Sequence, residues 1–537
     1  MTASATWSEN SSFATISAGT LTASAVTGNQ PVTVSASYAS GGVTKTATLA
    51  VTIVDGAATG SHAGKFSVYD GTRTCLTCHL AQAQEMHQSV HYQWQGDASE
   101  SVGLNSGIAG KLGGINDFCI YPDINWLGKL TNVNGVAVDG GCAKCHTGLG
   151  LKPTTDASTA QLENIDCLVC HSTSYKRTLQ LENGSFRFVP DTAAMGMPIL
   201  QAATNITRPG NATCLTCHAK SGGGDNFKRG DLEVAHGNPP LSLDVHMASN
   251  AAGGAGLSCT DCHTTAGHRI AGRGIDLRER DNPAQVDCRT CHGAIPHSTA
   301  DVNKHTARVN CTVCHIPSFA RQAPTDMIRD WSKPGVLNAV TGLYEPAMTM
   351  MSNVTPVYGF FNGRSQFYQF GEPAAAGPSG RIVMAGPLGT ILDAGAKIEA
   401  MKLHQGVQPI DPITKRLFPL KMAPFYETGD VATAVSEGAA AVGWTYSSHQ
   451  FAQTERKLGL YHQVAPKASA LSCTACHGGT RLDFRALGYT PLATRDGKPL
   501  CSSCHGAKTG DFYKVHDVHV TKKRYDCSTC HSFKKAL

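Results

Sequence analysis

Hydrophobic and polar residues alternate with a period of two in residues 30–53, where two such stretches flank a pair of glycines. This alternation is typical of strands that bury one face, and glycines between two strands favour a tight turn. The pattern therefore predicts a β-hairpin that turns at Gly41-Gly42. Its apolar positions are Val32, Val34, Ala36, Tyr38, Leu49, Val51 and Ile53.

The segment around this hairpin differs in composition from the rest of the chain. Residues 1–55 contain no cysteine and no histidine, and residues 10–44 carry no charge. The phrase Thr6-Trp7-Ser8 and residues 14–23 resemble the later strands of bacterial immunoglobulin-like domains, which implies a small all-β domain with sequence missing upstream. Its role would be spacing or adhesion. We place this domain at residues 1–55 and a linker of small residues at 56–64.

One motif, Cys-x-x-Cys-His, dominates the remainder. Twenty of the 21 cysteines fall into ten copies, whereas this composition would supply about 0.04 of a copy by chance. The two thiols of this motif attach to the vinyl groups of a haem and the histidine ligates its iron, so the sequence predicts ten covalently bound c-type haems. A zinc ribbon or a disulfide framework would leave the ten histidines unexplained. The predicted attachment residues are Cys75, Cys78, His79, Cys142, Cys145, His146, Cys167, Cys170, His171, Cys214, Cys217, His218, Cys259, Cys262, His263, Cys288, Cys291, His292, Cys311, Cys314, His315, Cys473, Cys476, His477, Cys501, Cys504, His505, Cys527, Cys530 and His531.

Ten apolar macrocycles would replace much of the core that side chains otherwise supply. We therefore expect a mostly irregular and α-helical cytochrome domain, with short helices around stacked haems, after the small all-β domain. Seven motifs lie between Cys75 and His315, none lies in residues 316–472, and three close the chain. Their close spacing predicts electron transfer between neighbouring haems.

Charge and hydropathy limit the partners and the compartment. The formal charge of +5 becomes about −5 in the oxidised holoprotein, because a ferric haem with two histidine ligands and ionised propionates carries about −1. Nucleic-acid binding is therefore not indicated, and no apolar run is long enough to span a membrane. The first residues are no signal peptide, yet c-type haem is attached outside the cytoplasm. We expect an exported protein, periplasmic or extracellular, whose N-terminus here is processed or truncated.

Each iron also needs a sixth ligand or leaves an open site, and 13 of the 23 histidines lie outside the motifs. His87 and His91 stand four apart, on one face of a helix, so both could reach haem planes. His62 lies in the linker and is the weakest candidate among the 13. The predicted distal ligands are His87, His91, His236, His246, His268, His297, His305, His404, His449, His462, His516 and His519.

Two other reactive residues lie beside the second and third motifs. Cys119 is the single cysteine outside the motifs, and Lys176 follows the third motif closely. A thiol and an amine near a haem pair suggest a reactive iron. The alternatives are a buried inert thiol and a solvated lysine that pairs with a propionate.

Residues 67–489 resemble the octahaem tetrathionate reductase family of c-type cytochromes. Matching phrases occur in order along this span, and they include Asn116-Asp-Phe-Cys119, Cys142-Ala-Lys-Cys-His-Thr-Gly-Leu-Gly150, Asn164-Ile-Asp-Cys-Leu-Val-Cys-His171, Gly230-Asp-Leu232, Asp244-Val-His-Met247, Asn303-Lys-His-Thr306 and Ala486-Leu-Gly-Tyr489.

The resemblance implies a catalytic second haem, held by His146, with Lys176 as its distal ligand and Cys119 in its pocket. It also implies a cytochrome core at residues 65–490 and makes residues 491–537 a dihaem extension, because the family has eight haems. Leu149 and Leu151 depart from the family, which would have aromatic residues there.

These observations predict a decahaem cytochrome that transfers electrons and, leaning towards an enzyme, reduces a small sulfur or nitrogen oxyanion such as tetrathionate, nitrite or hydroxylamine. Its partners would be redox proteins. The alternative is a conduit without catalysis, with histidine at both axial positions of every haem. Such a conduit would form homo-oligomers or an extracellular filament.

Overall fold

A computed structural model describes residues 5–24, 30–53, 61–118, 120–272, 274, 281–284, 286–477, 481–491, 494–495, 498–499, 515, 517–525 and 531–532. The chain divides into two compact units. The first comprises Met1–Thr77, Asp166–Thr178 and Pro190–Pro209, and the second comprises Cys78–Ile165, Leu179–Val189 and Gly210–Leu537.

The N-terminal segment of the first unit is built from strands. Gln30–Ser40 and Val43–Ile53 pair antiparallel, with Ser40 opposite Val43, and Gly41 and Gly42 have φ values of +59° and +79°. This left-handed geometry is the one that a two-residue hairpin turn requires, so the predicted hairpin is confirmed. The other strands are Thr6–Glu9, which pairs with Gln30–Ser40, and the antiparallel pair Ala14–Ser17 and Thr20–Ala23.

A small apolar core holds these strands together. Val32, Val34, Ile53 and Ala14 are buried in it, and Trp7 packs against them. In Gln30–Ser40 the buried side chains of Val32 and Val34 stand two residues apart, as the hydrophobic pattern requires, whereas Tyr38, another apolar position of the pattern, is exposed. The likeness to an immunoglobulin-like domain stays a prediction.

Residues 61–315 form mostly short helices and two-stranded ladders. Several helices are single turns that coincide with a Cys-x-x-Cys-His motif, because its cysteines, three apart, share one helix face. The helices, including single 3₁₀ turns, are Gly71–His87, Val90–Gln93, Pro122–Ile124, Cys142–Cys145, Thr159–Glu163, Leu168–His171, Thr192–Met195, Ile199–Thr204, Asn211–His218, Val234–Gly237, Asn250–Ala252, Cys259–Cys262, Arg289–His292, Ala300–His305 and Cys311–His315. The strands are Gln95–Asp97, Ser101–Val102, Ile108–Gly110, Gly128–Thr131, Ala137–Gly140, Arg177–Glu182, Ser185–Pro190, Thr265–Ala266 and Arg269–Ile270.

The stretch without motifs, residues 316–472, contributes all but one strand of an eight-stranded sheet. Seven strands follow one another in the order Pro346–Met351, Thr325–Pro334, Lys397–Ile410, Gln450–Gly459, Ile382–Pro387, Ser365–Phe367 and Ser101–Val102. The eighth, Val357–Phe361, pairs with Lys397–Ile410. Helix Val431–Ala441 packs closely against the chain at Pro419 because Gly438 has no side chain. A Cβ at residue 438 would lie 2.0 Å from the carbonyl oxygen of Pro419.

This sheet is a departure from the expected fold. The chain is 24% helix and 28% strand, so its fold is mixed. The expectation of mostly irregular and helical structure is wrong for residues 316–472. Without haem motifs this stretch must build its own core, and it buries residues such as Trp331, Phe418 and Phe425 against the sheet.

The last described elements are short. They are Pro424–Thr428, Lys467–Ser469, Cys473–His477, Thr490–Pro491, Thr494–Arg495, Lys498–Pro499, Asp517–Lys522 and His531–Ser532. No helix among the described residues is long and apolar enough to cross a membrane. Several predictions fall outside the described residues, namely those for Cys119, His516, the ninth motif, Cys527, Cys530, the side chain of His531 and most of the linker.

Candidate functional site

Four motif histidines of the second unit each face a histidine from outside the motifs. Metal–nitrogen bonds to histidine are about 2 Å long, so two imidazoles on opposite sides of one metal ion have ring centres about 6 Å apart. The four pairs have ring centres 5.9–6.2 Å apart. They are His91–His218, His246–His292, His263–His462 and His297–His315.

Several of these rings are oriented as metal-binding histidines usually are, with Nδ1 anchored so that Nε2 faces the metal. His263 Nδ1 lies 2.8 Å from the carbonyl oxygen of Ala271, and His462 Nδ1 lies 3.3 Å from Asp231 Oδ2. His236 is arranged in the same way: its Nδ1 is 3.1 Å from the carbonyl oxygen of Glu233, and its buried Nε2 has no hydrogen-bond partner among the described residues.

Burial keeps the His91 ring neutral. It lowers the pKa of His91 to about 4. This ring is therefore uncharged at pH 7, and the neutral imidazole is the form that ligates metals.

The cysteines of successive motifs also approach one another. The thiols of Cys214 and Cys259 are hydrogen-bonded, and those of Cys288 and Cys311 are as well. Cys262 and Cys291 are electrostatic neighbours, and so are Cys314 and Cys476. The fourth to eighth motifs therefore form a continuous series.

In the first unit, Cys75 of the first motif is hydrogen-bonded to Cys167 of the third. Each cysteine attaches to the edge of a haem, so the first and third haems would also be neighbours. The third motif has an anchored histidine too, because His171 Nδ1 lies 3.0 Å from the carbonyl oxygen of Thr207.

His146, the predicted catalytic ligand, differs from the paired histidines. Its Nε2 lies 2.6 Å from the carbonyl oxygen of Tyr92, and its Nδ1 accepts a hydrogen bond from the Gly148 N–H. The ring is buried among Tyr92, Trp94 and Trp126, whose ring centres are 5.0–5.3 Å away. Ligation of iron by this Nε2 requires the ring to leave the Tyr92 carbonyl.

Lys176 belongs to the first unit. Its side chain is exposed, and its backbone carbonyl accepts a hydrogen bond of 2.9 Å from the Asp191 N–H. His146 belongs to the second unit.

The other predicted distal ligands have different surroundings. His87 is buried, and His268 Nδ1 lies 3.2 Å from Glu85 Oε2. The Nδ1 atoms of His305 and His519 each lie 2.8 Å from a backbone carbonyl oxygen four residues earlier, whereas that of His449 is hydrogen-bonded to a tyrosine hydroxyl.

His404 lies in a cluster of buried charged side chains on the large sheet. Its Nδ1 is hydrogen-bonded to Asp117 Oδ2, its Nε2 is 3.7 Å from Asp326 Oδ2, and its ring stacks on Phe118 with the centres 4.1 Å apart. All of these side chains are almost fully buried.

Three cations complete this cluster. Arg456 Nε donates to Asp117 Oδ1 at 2.5 Å, and Arg329 Nε donates to Asp326 Oδ2 at 2.6 Å. Burial raises the pKa of the Asp117 carboxyl, but Arg456 and His404 outweigh it and hold that pKa below its ordinary value. Burial lowers the pKa of the third cation, Lys402, to about 7.

The cluster also fixes the backbone next to Cys119. Arg329 Nη1 donates to the carbonyl oxygen of Phe118 at 2.6 Å, and the Trp331 indole N–H donates to that of Asp117 at 2.9 Å. On the other side, Ile120 has φ +55°, a left-handed conformation that a β-branched residue rarely adopts. The residues on both sides of Cys119 are therefore tightly constrained.

The chain is similar to known proteins in sequence and in fold. The family described as "Cytochrome c bacterial" matches residues 344–480. The crystal structure of an octahaem cytochrome c from Shewanella oneidensis matches with a TM-score of 0.63 and 29% sequence identity, and the match covers 80% of this chain and 95% of that one. These matches support electron transfer by a multihaem c-type cytochrome.

This cytochrome also has a relative in Archaeoglobus fulgidus, described only as an uncharacterized protein. The two are 31% identical over 253 residues, which are 40% of this chain and 79% of the relative. The facing imidazoles fit covalently bound haem, because their spacing suits one iron between each pair.

The sequence did not point to the side chains that orient the ligands. Asp231 orients His462. Asn303 holds His297: its Oδ1 accepts from the His297 backbone N–H at 3.0 Å and lies 3.3 Å from His297 Nδ1, and its Nδ2 donates to the His297 carbonyl oxygen at 2.6 Å. Both lie in the phrases that carry the family resemblance, which was the available signal. Arg329, Lys402 and Arg456 lie outside those phrases, and no pattern in the sequence indicated a role for them.

Proposed function

We propose that this cytochrome transfers electrons along a chain of ten haems outside the cytoplasm, exchanging them with redox partner proteins. The single observation that carries the proposal is the set of four facing histidine pairs, with ring centres 5.9–6.2 Å apart. When bound, each haem supplies a one-electron redox centre. The motif cysteines would anchor the haem edges, and the histidine pairs would hold the irons.

The contacts between motif cysteines support one order of transfer. They link the fourth motif to the fifth, the fifth to the sixth, the sixth to the seventh and the seventh to the eighth. Electrons that enter at either end of this series would therefore pass through every haem in it. The ninth and tenth motifs would extend the series from the eighth.

We further propose that the His146 site reduces a small sulfur or nitrogen oxyanion. The support is the family resemblance at Cys119, His146 and Lys176. The amine of Lys176 would be the sixth ligand, and as a neutral amine it would be displaced by substrate more readily than a firmly held imidazole. Cys119 would line the substrate pocket.

The test is the Lys176→Ala holoprotein, assayed with tetrathionate, nitrite and hydroxylamine as acceptors and reduced viologen as the donor. The expected result is loss of reduction of at least one acceptor, while the haem content stays that of the wild type. Lys220→Ala, at another exposed lysine, is the control and should keep full activity. Unchanged reduction of all acceptors in Lys176→Ala would contradict the catalytic proposal.

The continuous series of motifs also favours a second candidate, a conduit that passes electrons between subunits of an oligomer or filament. In that case the iron bound by His146 would have a second histidine as its other axial ligand. Light scattering of the concentrated holoprotein tests this candidate. Concentration-dependent assembly supports it, and a strict monomer contradicts it.

A further inference from the structure

One buried carboxylate of the second unit holds the histidine that faces the fifth motif. Asp231 is fully buried, and its Oδ2 lies 3.3 Å from Nδ1 of His462, whose ring faces that of His263. The same oxygen accepts hydrogen bonds from the backbone N–H groups of Tyr461 at 2.7 Å and of His462 at 3.1 Å. The carboxylate therefore fixes both the backbone and the ring of this histidine.

Asp231 also has a cationic partner. Arg229 Nε donates to Asp231 Oδ1 at 3.4 Å, and Arg229 Nη2 donates to the carbonyl oxygen of Gly459 at 2.6 Å. A carboxylate that accepts hydrogen bonds from a guanidinium and from several N–H groups is stabilised in its ionised form. The ring of His462 thus has a negatively charged acceptor beside its Nδ1.

The segment that carries Asp231 is rigidly held. The carbonyl oxygen of Gly230 accepts from the Ala320 backbone N–H at 2.8 Å and from Asn226 Nδ2 at 3.1 Å. Gly230 has φ +81°, and a Cβ there would lie 2.8 Å from the ring of Phe319. Because the core around this glycine is closely packed, Asp231 cannot shift to follow a displaced ring.

The distal histidines of the other three pairs have different surroundings at Nδ1. That of His297 lies 3.3 Å from the amide oxygen of Asn303, and that of His246 is 3.9 Å from Asp244 Oδ1, beyond hydrogen-bond distance. Nδ1 of His91 is buried and has no hydrogen-bond partner among the described residues. In the part of the chain that the structure describes, only the pair at the fifth motif has a distal Nδ1 hydrogen-bonded to a carboxylate.

A carboxylate at this position changes the electron density that the iron receives. It accepts the hydrogen bond of Nδ1–H and makes the imidazole a more basic ligand. A more basic ligand and a nearby negative charge both favour ferric over ferrous iron. The fifth motif contacts the fourth through Cys259 and the sixth through Cys262, so its potential affects transfer on both sides.

We propose that Asp231 is a redox-tuning residue: through its hydrogen bond to His462 it lowers the reduction potential of the fifth haem, so that an electron enters this haem less readily than it leaves. The proposal deepens the proposed function and rests on it, because it requires one iron between His263 and His462. Asp231 acts through the imidazole and is not itself an iron ligand. Arg229 moderates the effect, since a cation beside the carboxylate offsets part of its charge.

The experiment is a redox titration of the holoproteins of the wild type and four variants, followed by electron paramagnetic resonance of frozen samples. His462→Ala removes the distal imidazole and thereby identifies the signal of the fifth haem. Asp231→Asn removes the charge beside that imidazole, and Arg229→Gln removes the cation beside the carboxylate. Asp261→Asn is the matched control, because Asp261 is an exposed aspartate of the fifth motif whose carboxylate binds Ser258.

We expect Asp231→Asn to raise the potential of the fifth haem by about tenfold in its reduction equilibrium, which is about 59 mV for one electron. This change is the lower end of the roughly 10–100-fold effects that outer-shell partners have on metal sites. Arg229→Gln should lower the same potential, because the carboxylate then acts with its full charge.

The control and the other haems should change little. Asp261→Asn should shift the equilibrium of the fifth haem by less than about twofold, because water screens an exposed charge. Haem content and the signals of the other haems should stay those of the wild type in Asp231→Asn, Arg229→Gln and Asp261→Asn.

Each failure has its own signature. If Asp231→Asn shifts the fifth haem no more than Asp261→Asn does, the tuning role is wrong and the electron-transfer proposal stands. Shifts in the same direction in Asp231→Asn and Arg229→Gln would indicate a structural role and also overturn it. If Asp231→Asn does not incorporate haem, Arg229→Gln decides: a lowered potential supports the tuning role, and any other result contradicts it. If His462→Ala leaves every signal unchanged, the histidine pair holds no iron, and the proposed function fails together with the tuning role.

Discussion

The imidazole rings of His297 and His315 are nearly parallel, with centres 6.1 Å apart and planes inclined by 11°. His315 belongs to the seventh motif, and His297 is held by Asn303, whose Nδ2 donates to the His297 carbonyl oxygen at 2.6 Å. One iron fits between the two rings. This pair is the clearest of the four, because its distal histidine is fixed by both its backbone and its side chain.

The first prediction concerns this pair. His297→Met should keep the haem low-spin and raise its midpoint potential, because a methionine ligand favours the ferrous state. The shift should be a fraction of the range of roughly 0.8 V that axial ligands span. A spectroelectrochemical titration measures it, and Lys304→Ala, an exposed neighbour, should leave every potential unchanged. An unchanged titration in His297→Met would show that His297 is not a ligand.

The second prediction concerns the series of motifs. Replacing Cys259 and Cys262 by alanine should remove the fifth haem and interrupt transfer between the fourth and the sixth. After a rapid pulse of reductant that enters at one end, the haems should be reduced in two separate phases rather than one. Stopped-flow spectroscopy measures the phases. A single phase at the wild-type rate would mean that the fifth haem is not an obligatory step.

The third prediction uses the buried carboxyl of Glu399. Burial raises the pKa of Glu399 to about 8, and its Oε2 has no hydrogen-bond partner among the described residues. The folded state therefore binds more protons than the unfolded state between pH 4.3 and pH 8, roughly, and stability should fall as pH rises through this window.

Glu399→Gln should remove this dependence, because the amide keeps the oxygen that accepts from Asn310 Nδ2 at 2.9 Å and carries no charge. The variant should be more stable than the wild type at pH 8, with the wild type losing up to about 1.4 kcal/mol per pH unit in the window. Thermal unfolding of the holoproteins at several pH values tests this. Parallel pH profiles for the two proteins would contradict the assignment.

The fourth prediction concerns the charged cluster of the sheet. Asp117→Asn should cost about 3–5 kcal/mol of the free energy of unfolding, because Arg456 would stay buried without its carboxylate. Glu182→Gln, which breaks an exposed pair, should cost less than about 1 kcal/mol. Denaturant unfolding of both variants measures the difference. Equal losses of unfolding free energy in the two variants would mean that the Asp117–Arg456 pair contributes no more to stability than a surface ion pair does.

The sequence was informative wherever the chemistry is local. Gly41-Gly42 and the alternation around them predicted the N-terminal hairpin, since a turn and a period of two are properties of neighbouring residues. The Cys-x-x-Cys-His spacing predicted haem attachment for the same reason. His91, His246, His297 and His462 were among the predicted distal ligands, and each faces a motif histidine.

What the sequence could not predict depends on contacts between distant residues. The partner of each motif histidine follows from the fold. His263 and His462, for example, lie almost 200 residues apart in the chain, which is roughly the length of a whole domain. The large sheet was missed because its strands pair across long connections. The cluster of Asp117, His404 and Arg456 was missed because an aspartate or an arginine, taken alone, is usually a surface residue, and because His404 was predicted to be a haem ligand.

The most direct test of the account is the sixth ligand of the iron at His146, read from the density of an experimental structure of the oxidised holoprotein. The account predicts continuous density from the iron to the side chain of Lys176. An imidazole in that position would contradict it and make the protein a conduit for electrons.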